Sequence, residues 1–536
     1  MARIETRLTA HALAANRGGM LALLTQAQDI AARARIASEA ARARFEKRGQ
    51  LLPRDRLALL LDPDTPFIEL SALAGYGLDH PDPVRSVPGG GVIAGIGVVA
   101  GVRCMINASD SGIAAGALQP MGLEKQLRVQ EIALENKLPY VQLVESAGAN
   151  LMAYRVEDFV RGGALFRNLA RMSAAGLPVV TVTHGSSTAG GAYQTGLSDH
   201  IIMVRGRTRA FLAGPPLLKA ATGEIASEED LGGAEMHTAI SGLGDHLAED
   251  DAHAIGIARE VIAHLGWDGC AEAPRDFAPP AYDAEGLLGI MPPDHRQPVD
   301  MHEVIARMVD GSEFLDVGAR YGAATICGTA TIHGHPIGIV TNNGPIDPDG
   351  AAKAAHFIQA CCQAGTPILY LNNTTGFMVG RIYEEAGIIK HGARMIQAVA
   401  NATVPQFTIY CGASFGAGNY GMCGRGFSPR FCFSWPNART AVMGGEQAAG
   451  TMAIVHEARA ERTGTPPDRP AIDAMKAKII DTFNGQMSAL HTSARMLDDG
   501  VIDPRLTRDL LAETMRICRE AARRTPRKVQ FAVARP

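Results

Sequence analysis

Gly-Ser-Ser-Thr-Ala-Gly-Gly-Ala-Tyr, from Gly185 to Tyr193, recurs in altered form as Gly-Ala-Ser-Phe-Gly-Ala-Gly-Asn-Tyr, from Gly412 to Tyr420. The copies are 227 residues apart, and the same offset relates Pro178 to Pro405, each of which precedes an apolar run. We interpret the pair as an internal duplication. Small residues after a strand-like run let backbone N–H groups approach a ligand closely. The repeat therefore predicts a backbone anion site in each half.

The helix expected after each segment strengthens this prediction. Aligned peptide dipoles and unpaired N–H groups make a helix N-terminus attractive to negative charge. Gly190 and Gly191 align with Ala417 and Gly418, so both copies keep two small residues at the critical point. The alternative is a tight strand-to-helix turn that needs glycine for packing alone.

The composition excludes several classes of protein. A chain of 536 residues that is 46% hydrophobic exceeds what one core usually holds, which predicts two or more domains. A net charge of -4 with scattered basic residues argues against binding to nucleic acid or to a membrane surface. Nine cysteines without a Cys-x-x-Cys pair favour reduced thiols in a cytoplasmic protein and indicate no metal site. The Ala- and Arg-rich start, through Gln50, predicts a helical arm rather than a targeting segment.

Short apolar runs alternate with helical patterns through both halves, which predicts an α/β fold. Prolines concentrated between Cys270 and Pro298 indicate an ordered linker, so we place the boundary between domains 1–282 and 283–536. The predicted strands are Val141 to Glu145, Val179 to His184, Ile201 to Val204, Ile337 to Thr341, Ile368 to Leu371 and Phe407 to Cys411; the predicted helices are Leu123 to Asn136, Phe159 to Ala175, Ala352 to Ala364 and Ala386 to Asn401.

Four further segments carry a resemblance to a known family: Leu138 to Leu151, Phe211 to Glu235, Gly376 to Glu384 and Ser434 to Gly450. With the glycine segments, they resemble the carboxyltransferase (β) subunits of biotin-dependent acyl-CoA carboxylases over nearly the whole chain. The resemblance implies two tandem crotonase-like domains and a hexameric β core in an α6β6 complex with a biotin carboxylase and biotin carrier α subunit. It also implies active sites at dimer interfaces, where the N-domain of one subunit faces the C-domain of another.

The resemblance also assigns roles by position. Gly190 and Gly191 would hold the thioester carbonyl of acyl-CoA as it becomes an enolate, and Ala417 and Gly418 would hold the ureido oxygen of biotin. The implied biotin site adds Phe415, Gly416, Gly376 and Phe377. The implied acyl-CoA site adds Ala115, Gly116, Ala147, Gly148, Gly162, Asn342, Asn343, Gly344 and Lys353. Ala115 and Ala147 stand where relatives more often have glycine, and a solvated lysine at a strand-end turn is the alternative for Lys353.

The implied chemistry explains why reactive side chains are inconspicuous. Carboxybiotin would release CO2, and the biotin nitrogen left behind would remove the acidified substrate proton, so cofactor and substrate supply the reactive groups. The protein would orient them and stabilise two negative oxygens. Ser186 and Ser187 lack the context of a nucleophile elbow, so a serine hydrolase is not favoured.

Substrate choice depends on a smaller resemblance. Gly418 to Gly424 and Ser428 to Phe431 are most similar to the methylcrotonoyl-CoA and geranyl-CoA branch, which implies a 3-methyl-2-enoyl thioester carboxylated at its γ carbon. Gly162 stands where methylcrotonoyl enzymes carry phenylalanine, and the missing ring would make room for a geranyl tail worth about 0.8 kcal/mol per added methylene. We therefore favour geranyl-CoA. If Gly162 merely caps a turn, methylcrotonoyl-CoA or another branched or longer acyl-CoA becomes the expectation.

A motif near the end of the chain resembles a biotin attachment site: Ala474-Met475-Lys476-Ala477. Its flanks, Ala471 to Phe483, predict a helix rather than the hairpin turn that carries biotinyl lysine. Biotin is therefore expected on another polypeptide. Two alternatives stay open, a biotin-dependent decarboxylase coupled to a sodium pump and a non-catalytic scaffold.

Overall fold

The computed structural model describes residues 1–80, 82–148, 155–267, 275–292, 294 and 296–529. Its strands, in chain order, are β1 (Ala2–Arg3), β2 (Ile68–Glu69), β3 (Val92–Val99), β4 (Val102–Ser109), β5 (Tyr140–Ser146), β6 (Val179–Thr188), β7 (His200–Val204), β8 (Arg209–Phe211), β9 (His246–Ala248), β10 (Glu313–Asp316), β11 (Thr325–Ile332), β12 (His335–Asn342), β13 (Ile368–Thr374), β14 (Gln406–Phe415), β15 (Phe431–Ser434) and β16 (Arg439–Ala441).

The helices connect and cover these strands. They are α1 (Ala10–Glu39), α2 (Arg42–Lys47), α3 (Pro53–Leu60), α4 (Pro120–Glu135), α5 (Val156–Ala174), α6 (Gly190–Gly196), α7 (Pro215–Thr222), α8 (Glu228–Gly232), α9 (Ala234–Ala239), α10 (Asp251–His264), α11 (Leu287–Ile290), α12 (Met301–Ala306), α13 (Pro348–Ala364), α14 (Arg381–Glu385), α15 (Ile388–Ala400), α16 (Gly416–Gly421), α17 (Gly445–Thr463), α18 (Arg469–Gln486), α19 (Ala489–Ala494) and α20 (Thr507–Arg523).

The chain divides into two compact units. The N-half unit comprises residues 28–272, 494–496 and 516–536, and the C-half unit comprises residues 1–27, 273–493 and 497–515. The first residues belong to the C-half unit because β1 pairs antiparallel with β10. The units thus depart from the predicted domains 1–282 and 283–536 at the chain ends, and that division stays a prediction.

Each unit is built on one eight-stranded mixed sheet. The strand order is β2-β3-β4-β5-β6-β7-β9 in the N-half unit, with β8 pairing β6, and β1-β10-β11-β12-β13-β14-β15 in the C-half unit, with β16 pairing β14. In the N-half unit, β4, β5 and β6 run parallel and are joined through α4 and α5. In the C-half unit, β12, β13 and β14 run parallel and are joined through α13 and α15. The carboxyl ends of parallel strands share one edge of the sheet, where ligands bind in open α/β sheets.

The duplication is visible in the backbone. Strands β6 and β14 are both ten residues long and begin 227 residues apart. Gly90 packs its backbone against Gly122, and Gly322 does so against Gly350, so that a Cβ on either first glycine would overlap its partner. The repeat inferred from sequence is therefore a repeat of packing as well.

Apolar side chains of the central strands form the cores. The N-half core includes Val141, Leu143, Val180, Val182 and Ile202. Burying each such side chain contributes about 1.5–3 kcal/mol. The corresponding core of the C-half unit includes Val340, Ile358, Ile368, Tyr370, Met395 and Val399.

The predicted α/β fold is confirmed, and every predicted strand and helix lies within or overlaps an observed one. One helix is shorter than predicted, because Gly387 at φ 82° separates α14 from α15. The region around Lys476 is helical, within α18, as predicted. In the part of the chain that the structure describes, no helix has the length and apolar character needed to cross a membrane.

Candidate active site

The first glycine segment forms the end of β6 and the start of α6. Ala189 has φ 52° and ψ -119°, which turns the chain sharply between the strand and the helix. Gly190 is exposed and Gly191 is buried behind it. No described side chain caps α6, and the first N–H groups of a helix have no acceptor within that helix. They are thus open to an acceptor from outside.

The second segment repeats this geometry between β14 and α16. Gly416, at the position of Ala189, has φ 53°. Ala417 is exposed and Gly418 is buried, as at Gly190 and Gly191. Among the described residues, α16 likewise has no side-chain cap. The four residues predicted to be catalytic therefore occupy equivalent positions in the two units.

The preceding strand contributes a matched pair to each site. Ser146, at the end of β5, accepts a hydrogen bond at Oγ from the N–H of Gly148 at 3.1 Å. Thr374, at the end of β13, accepts one at Oγ1 from the N–H of Gly376 at 3.3 Å. Gly148 and Gly376 have φ 87° and 119°, which favours glycine at both positions. The predicted acyl-CoA residue Gly148 and the predicted biotin residue Gly376 are thus structural equivalents.

The other N-half residues predicted to bind acyl-CoA lie close to this site. Gly116 packs against the backbone carbonyl of Glu145, where a Cβ would overlap it. Ala115, beside it, is exposed and has φ 50°, and Ala147 is also exposed. Gly148 accepts at its carbonyl oxygen from the N–H of Leu118 at 2.9 Å. The loops after β4, β5 and β6 therefore converge at one edge of the sheet.

Gly162 lies inside α5, so it does not cap a turn, and that alternative is wrong. No described atom lies within 4 Å of a Cβ added to Gly162. One turn further on, the ring of Phe166 comes within 3.3 Å of a Cβ added to Gly190. Phe166 also meets Tyr193 edge-on, with ring centroids 6.2 Å apart. Gly162 therefore opens space on the face of α5 that leads to Gly190.

The C-half residues predicted to contact acyl-CoA are engaged within their own unit. Asn342 is fully buried and accepts at Oδ1 from Thr325 Oγ1 at 2.8 Å. Asn343 accepts at Oδ1 from the N–H of Met301 at 2.8 Å. Gly344 is open, with no described atom within 4 Å of an added Cβ.

Lys353 is buried, which overturns the alternative of a solvated lysine. Its Nζ donates to the carbonyl oxygen of Gly318 at 3.1 Å, and burial lowers its pKa. Lys125, on the equivalent helix α4, is also buried and donates to the carbonyl oxygen of Val92 at 2.7 Å. Because the arrangement occurs in both units, we infer that each lysine has a structural role and holds its helix, α4 or α13, in place.

The residues predicted to bind biotin converge around the start of α16. A Cβ on Gly418 would lie 2.9 Å from both the Cα of Gly376 and Cγ2 of Thr374. The ring of Phe377 packs within 3.1–3.3 Å of Cβ positions at Gly421 and Gly392. Phe415 is buried at the end of β14. This leaves Ala417 as an exposed position beside close-packed backbone.

A buried charged cluster in the N-half unit was not predicted from the sequence. His184 Nδ1 lies 2.7 Å from Asp251 Oδ1, and Arg56 Nε donates to Asp251 Oδ2 at 3.0 Å. Arg56 also donates to Glu145 Oε2 at 2.7 Å, and Ser111 Oγ donates to the same oxygen at 2.8 Å. The sequence did contain a signal for this cluster: Glu145 and His184 are polar residues, and each ends a predicted buried strand.

Burial and pairing compete in this cluster. Burial lowers the pKa of His184, and the nearby Arg56 charge acts in the same direction, against the opposing effects of Asp251 and Glu145. For Asp251, burial alone would raise the pKa, but the hydrogen bond from His184 and the Arg56 charge lower it to about 2. Glu145 likewise has a lowered pKa, because the charge and hydrogen bond of Arg56 outweigh burial.

Comparison with known proteins identifies the family of this chain. The family described as "Carboxyl transferase domain" matches residues 44–531. The chain belongs to the carboxyl transferase family. This carboxyltransferase is 50% identical over 469 residues to the probable biotin-dependent acyl-coenzyme A carboxylase beta2 subunit of Mycobacterium tuberculosis, with 87% of each chain covered.

A second relative of the carboxyltransferase is the biotin-dependent 3-methylcrotonyl-coenzyme A carboxylase beta1 subunit of Mycobacterium tuberculosis. The two are 46% identical over 500 residues, covering 92% of this chain and 93% of the relative. The crystal structure of the P. aeruginosa geranyl-CoA carboxylase beta subunit matches with a TM-score of 0.93 at 50% identity, covering 99% of this chain and all of that one. The carboxyltransferase is thus an enzyme subunit of the biotin-dependent acyl-CoA carboxylase type, in the methylcrotonoyl-CoA and geranyl-CoA branch, with crotonase-like domains.

Proposed function

We propose that this chain transfers a carboxyl group from biotin, carried on a partner subunit, to the γ carbon of a 3-methyl-2-enoyl-CoA. Geranyl-CoA is the favoured substrate. The observation that carries the proposal is the duplicated backbone site, in which Gly190 and Gly191 match Ala417 and Gly418 in exposure and burial. Two sites for two negative oxygens are what this reaction requires.

In the N-half unit, the N–H groups at the start of α6 would stabilise the enolate oxygen of the thioester. Preorganised donors of this kind are worth roughly 3–4 kcal/mol each when one is removed. Ala189 and Gly148 both have positive φ, and the two loops lie close together, since a Cβ added to Gly148 would lie 3.9 Å from the Cβ of Ala189. Small residues here leave room for the thioester to approach the N–H groups.

In the C-half unit, the start of α16 would hold biotin by its ureido oxygen. The residues fit a small neutral ring, because Ala417 is exposed, α16 has no described side-chain cap, and the half-buried Phe377 offers an apolar wall. When bound, carboxylated biotin supplies the carboxyl group and, once that group is released, a base. The backbone of residues 416–418 orients the ring and stabilises its oxygen.

The assembly is part of the proposal. The relatives are named as beta subunits of biotin-dependent carboxylases, which supports a partner α subunit with biotin carboxylase and biotin carrier functions. The helical Lys476 favours biotin on that partner. We propose a homo-hexameric core in an α6β6 complex, with N- and C-domains of different subunits facing each other, in the cytoplasm.

The geranyl preference is supported by the open face of α5. Phe159, Gly163 and Phe166 share this face, because residues three, four and seven positions apart lie on one side of a helix. Phe159 is 73% exposed, and no described atom lies within 4 Å of a Cβ added to either Gly162 or Gly163. A terpenoid tail could lie across the two glycines between the phenyl rings.

Carboxylation of geranyl-CoA and methylcrotonoyl-CoA by the complex purified with its biotin-carrying partner tests this proposal. We expect kcat/KM to be higher for geranyl-CoA, and Gly162→Phe to lower it at least tenfold for geranyl-CoA while sparing methylcrotonoyl-CoA. Gly256→Phe is the matched control, since Gly256 is an exposed helical glycine in α10 with no described atom within 4 Å of an added Cβ. Equal or better use of methylcrotonoyl-CoA by the unaltered complex would contradict the geranyl preference.

A further inference from the structure

The buried charged cluster of the N-half unit touches each of the three strands that lead into the acyl-CoA site. Ser111 follows β4, Glu145 lies near the end of β5, and His184 lies near the end of β6. All three are buried, with relative exposures of 4%, 8% and 0%. The loops that these strands enter hold Gly116, Gly148 and Gly190. The cluster therefore lies directly beneath the site.

Hydrogen bonds connect the cluster to backbone as well as to side chains. Gln50 Nε2 donates to Glu145 Oε1 at 3.2 Å and to the backbone carbonyl of His184 at 3.1 Å. The N–H of Leu51 donates to Asp251 Oδ2 at 2.7 Å. Gly185 fits above Glu145 because it has no side chain: an added Cβ would lie 2.8 Å from Oε1. The Glu145 carboxylate is thus held against β6, the strand that leads into α6 with Gly190 and Gly191.

The equivalent strand positions in the C-half unit carry neutral side chains. Cys411 stands where the N-half unit has His184. Asn373 stands where it has Glu145, because a Cβ added to Gly412 would meet Asn373 as one added to Gly185 would meet Glu145. Asn372 and Ser414 form a neutral buried contact beside them, with Ser414 Oγ donating to Asn372 Oδ1 at 2.9 Å. A charged cluster is costly to bury unless its geometry is fixed. Its restriction to one unit argues for a requirement of that half of the reaction rather than of the fold.

We infer that Glu145 and His184 are positioning residues, which through Arg56 and Asp251 fix the three loops that hold the acyl thioester. The inference rests on the proposed function and adds the residues that set its geometry. Neither side chain touches the substrate. Breaking the cluster weakens acyl-CoA binding and leaves the use of biotin unchanged.

Binding of methylcrotonoyl-CoA and geranyl-CoA to the full chain, followed by calorimetry, tests this inference together with steady-state kinetics of the complex. Glu145→Gln keeps the shape and removes the charge. The matched control is Glu520→Gln, because Glu520 is also buried and accepts from Arg103 Nε at 2.9 Å, at the start of β4 and away from the loops. We expect both variants to melt at lower temperature, but only Glu145→Gln to raise the dissociation constant and KM for acyl-CoA, by tenfold or more.

Two further variants keep the test decisive if Glu145→Gln does not fold. Ser111→Ala removes a single hydrogen bond and should weaken acyl-CoA binding about threefold, with KM for the biotin carrier unchanged. His184→Cys copies the C-half unit and should weaken binding tenfold, while His184→Asn, which can still donate to Asp251, should recover most of it. Wild-type affinity in folded Glu145→Gln, Ser111→Ala and His184→Cys would overturn the inference. Absence of acyl-CoA binding by the unaltered chain would instead contradict the proposed function.

Discussion

The two units share a backbone plan but differ in what lies beneath it. Strand, turn and helix recur from β6 and α6 to β14 and α16, and Tyr193 and Tyr420, which lie 227 residues apart at matched positions, are both 52% exposed. Below these elements, the N-half unit buries an arginine, two carboxylates and a histidine, whereas the C-half unit has the neutral Cys411 and Asn373 at the matched strand positions. The duplicated fold therefore keeps the backbone of the strand-to-helix turns, while the buried side chains below them differ. Such differences allow equivalent positions to bind different ligands.

The largest difference is expected when the matched glycines are given a methyl group. Gly191→Ala places a Cβ 3.5 Å from Ser187 Oγ, an ordinary contact, whereas Gly418→Ala places one 2.9 Å from the backbone of Gly376. We expect Gly418→Ala to lower kcat for carboxylation by about 100-fold or more, and Gly191→Ala by about tenfold or less. Gly426→Ala, at an exposed position with no described atom within 4 Å of the added Cβ, is the control. An equal loss of kcat in Gly191→Ala and Gly418→Ala would show that the two glycine sites do not differ in how closely they are packed.

A smaller contrast concerns the buried lysines. Burial lowers the pKa of Lys125 to about 8, below its value of about 10.4 in an unfolded chain. The unfolded state then binds more protons between these values, so the free energy of unfolding rises with pH across this interval, by about 3 kcal/mol in total. Lys125→Met should abolish this increase, as measured by urea unfolding at pH 7.5 and 9.5. Lys353→Met is the C-half counterpart, and it should change the pH dependence of the free energy of unfolding less, since Lys353 is less completely buried. A change as large as that caused by Lys125→Met would contradict this expected difference between the two lysines.

The histidines of the two units should respond to pH with opposite sign. In the C-half unit, hydrogen bonds to Asp300 and Asp316 raise the pKa of His302 to about 9. Its stabilisation is complete below about pH 6.5 and is lost as the pH rises through about 9. The pKa of His184 is lowered by burial, so its contribution is present above about pH 6.5 and is lost as the pH falls.

Thermal unfolding at pH 5.5, 7 and 8.5 measures this contrast. His302→Gln should remove about 1–2 kcal/mol at pH 5.5 and less than half as much at pH 8.5. His184→Asn should flatten the loss of stability on the acid side. The same pH dependence in both variants would show that the two histidines do not differ as their surroundings indicate.

The smallest effect concerns the residue at the turn. Ala189 and Gly416 have nearly the same φ, 52° and 53°, in a region that favours glycine. Ala189→Gly, which copies the C-half unit, should stabilise the protein by up to about 1 kcal/mol. Gly416→Ala, the reverse exchange, should destabilise it by at least that amount, because the new Cβ would lie 3.1 Å from the carbonyl oxygen of Val442. Calorimetric unfolding checks both, and a destabilised Ala189→Gly would show that strain at the turn is negligible.

Much of the site was predictable because it consists of backbone. Gly190, Gly191, Ala417 and Gly418 were found from a repeat of small residues, and the structure places them at equivalent strand-to-helix turns. The solvated alternative for Lys353 was wrong, because the carbonyl of Gly318 that accepts from its buried ammonium group lies far from it in sequence. The cap assigned to Gly162 as an alternative failed for a related reason: only the helix around it shows that it is interior.

The sequence by itself determined the α/β class, the duplication and the small residues that leave N–H groups accessible, because these depend on local patterns and on spacing along the chain. Tertiary structure decided which polar residues act together. Glu145 and His184 come from the parallel strands β5 and β6, and they meet Arg56 of α3 and Asp251 of α10 only when these helices pack on the sheet. A buried charge is stabilised by partners in space, and no spacing in the sequence reports those partners.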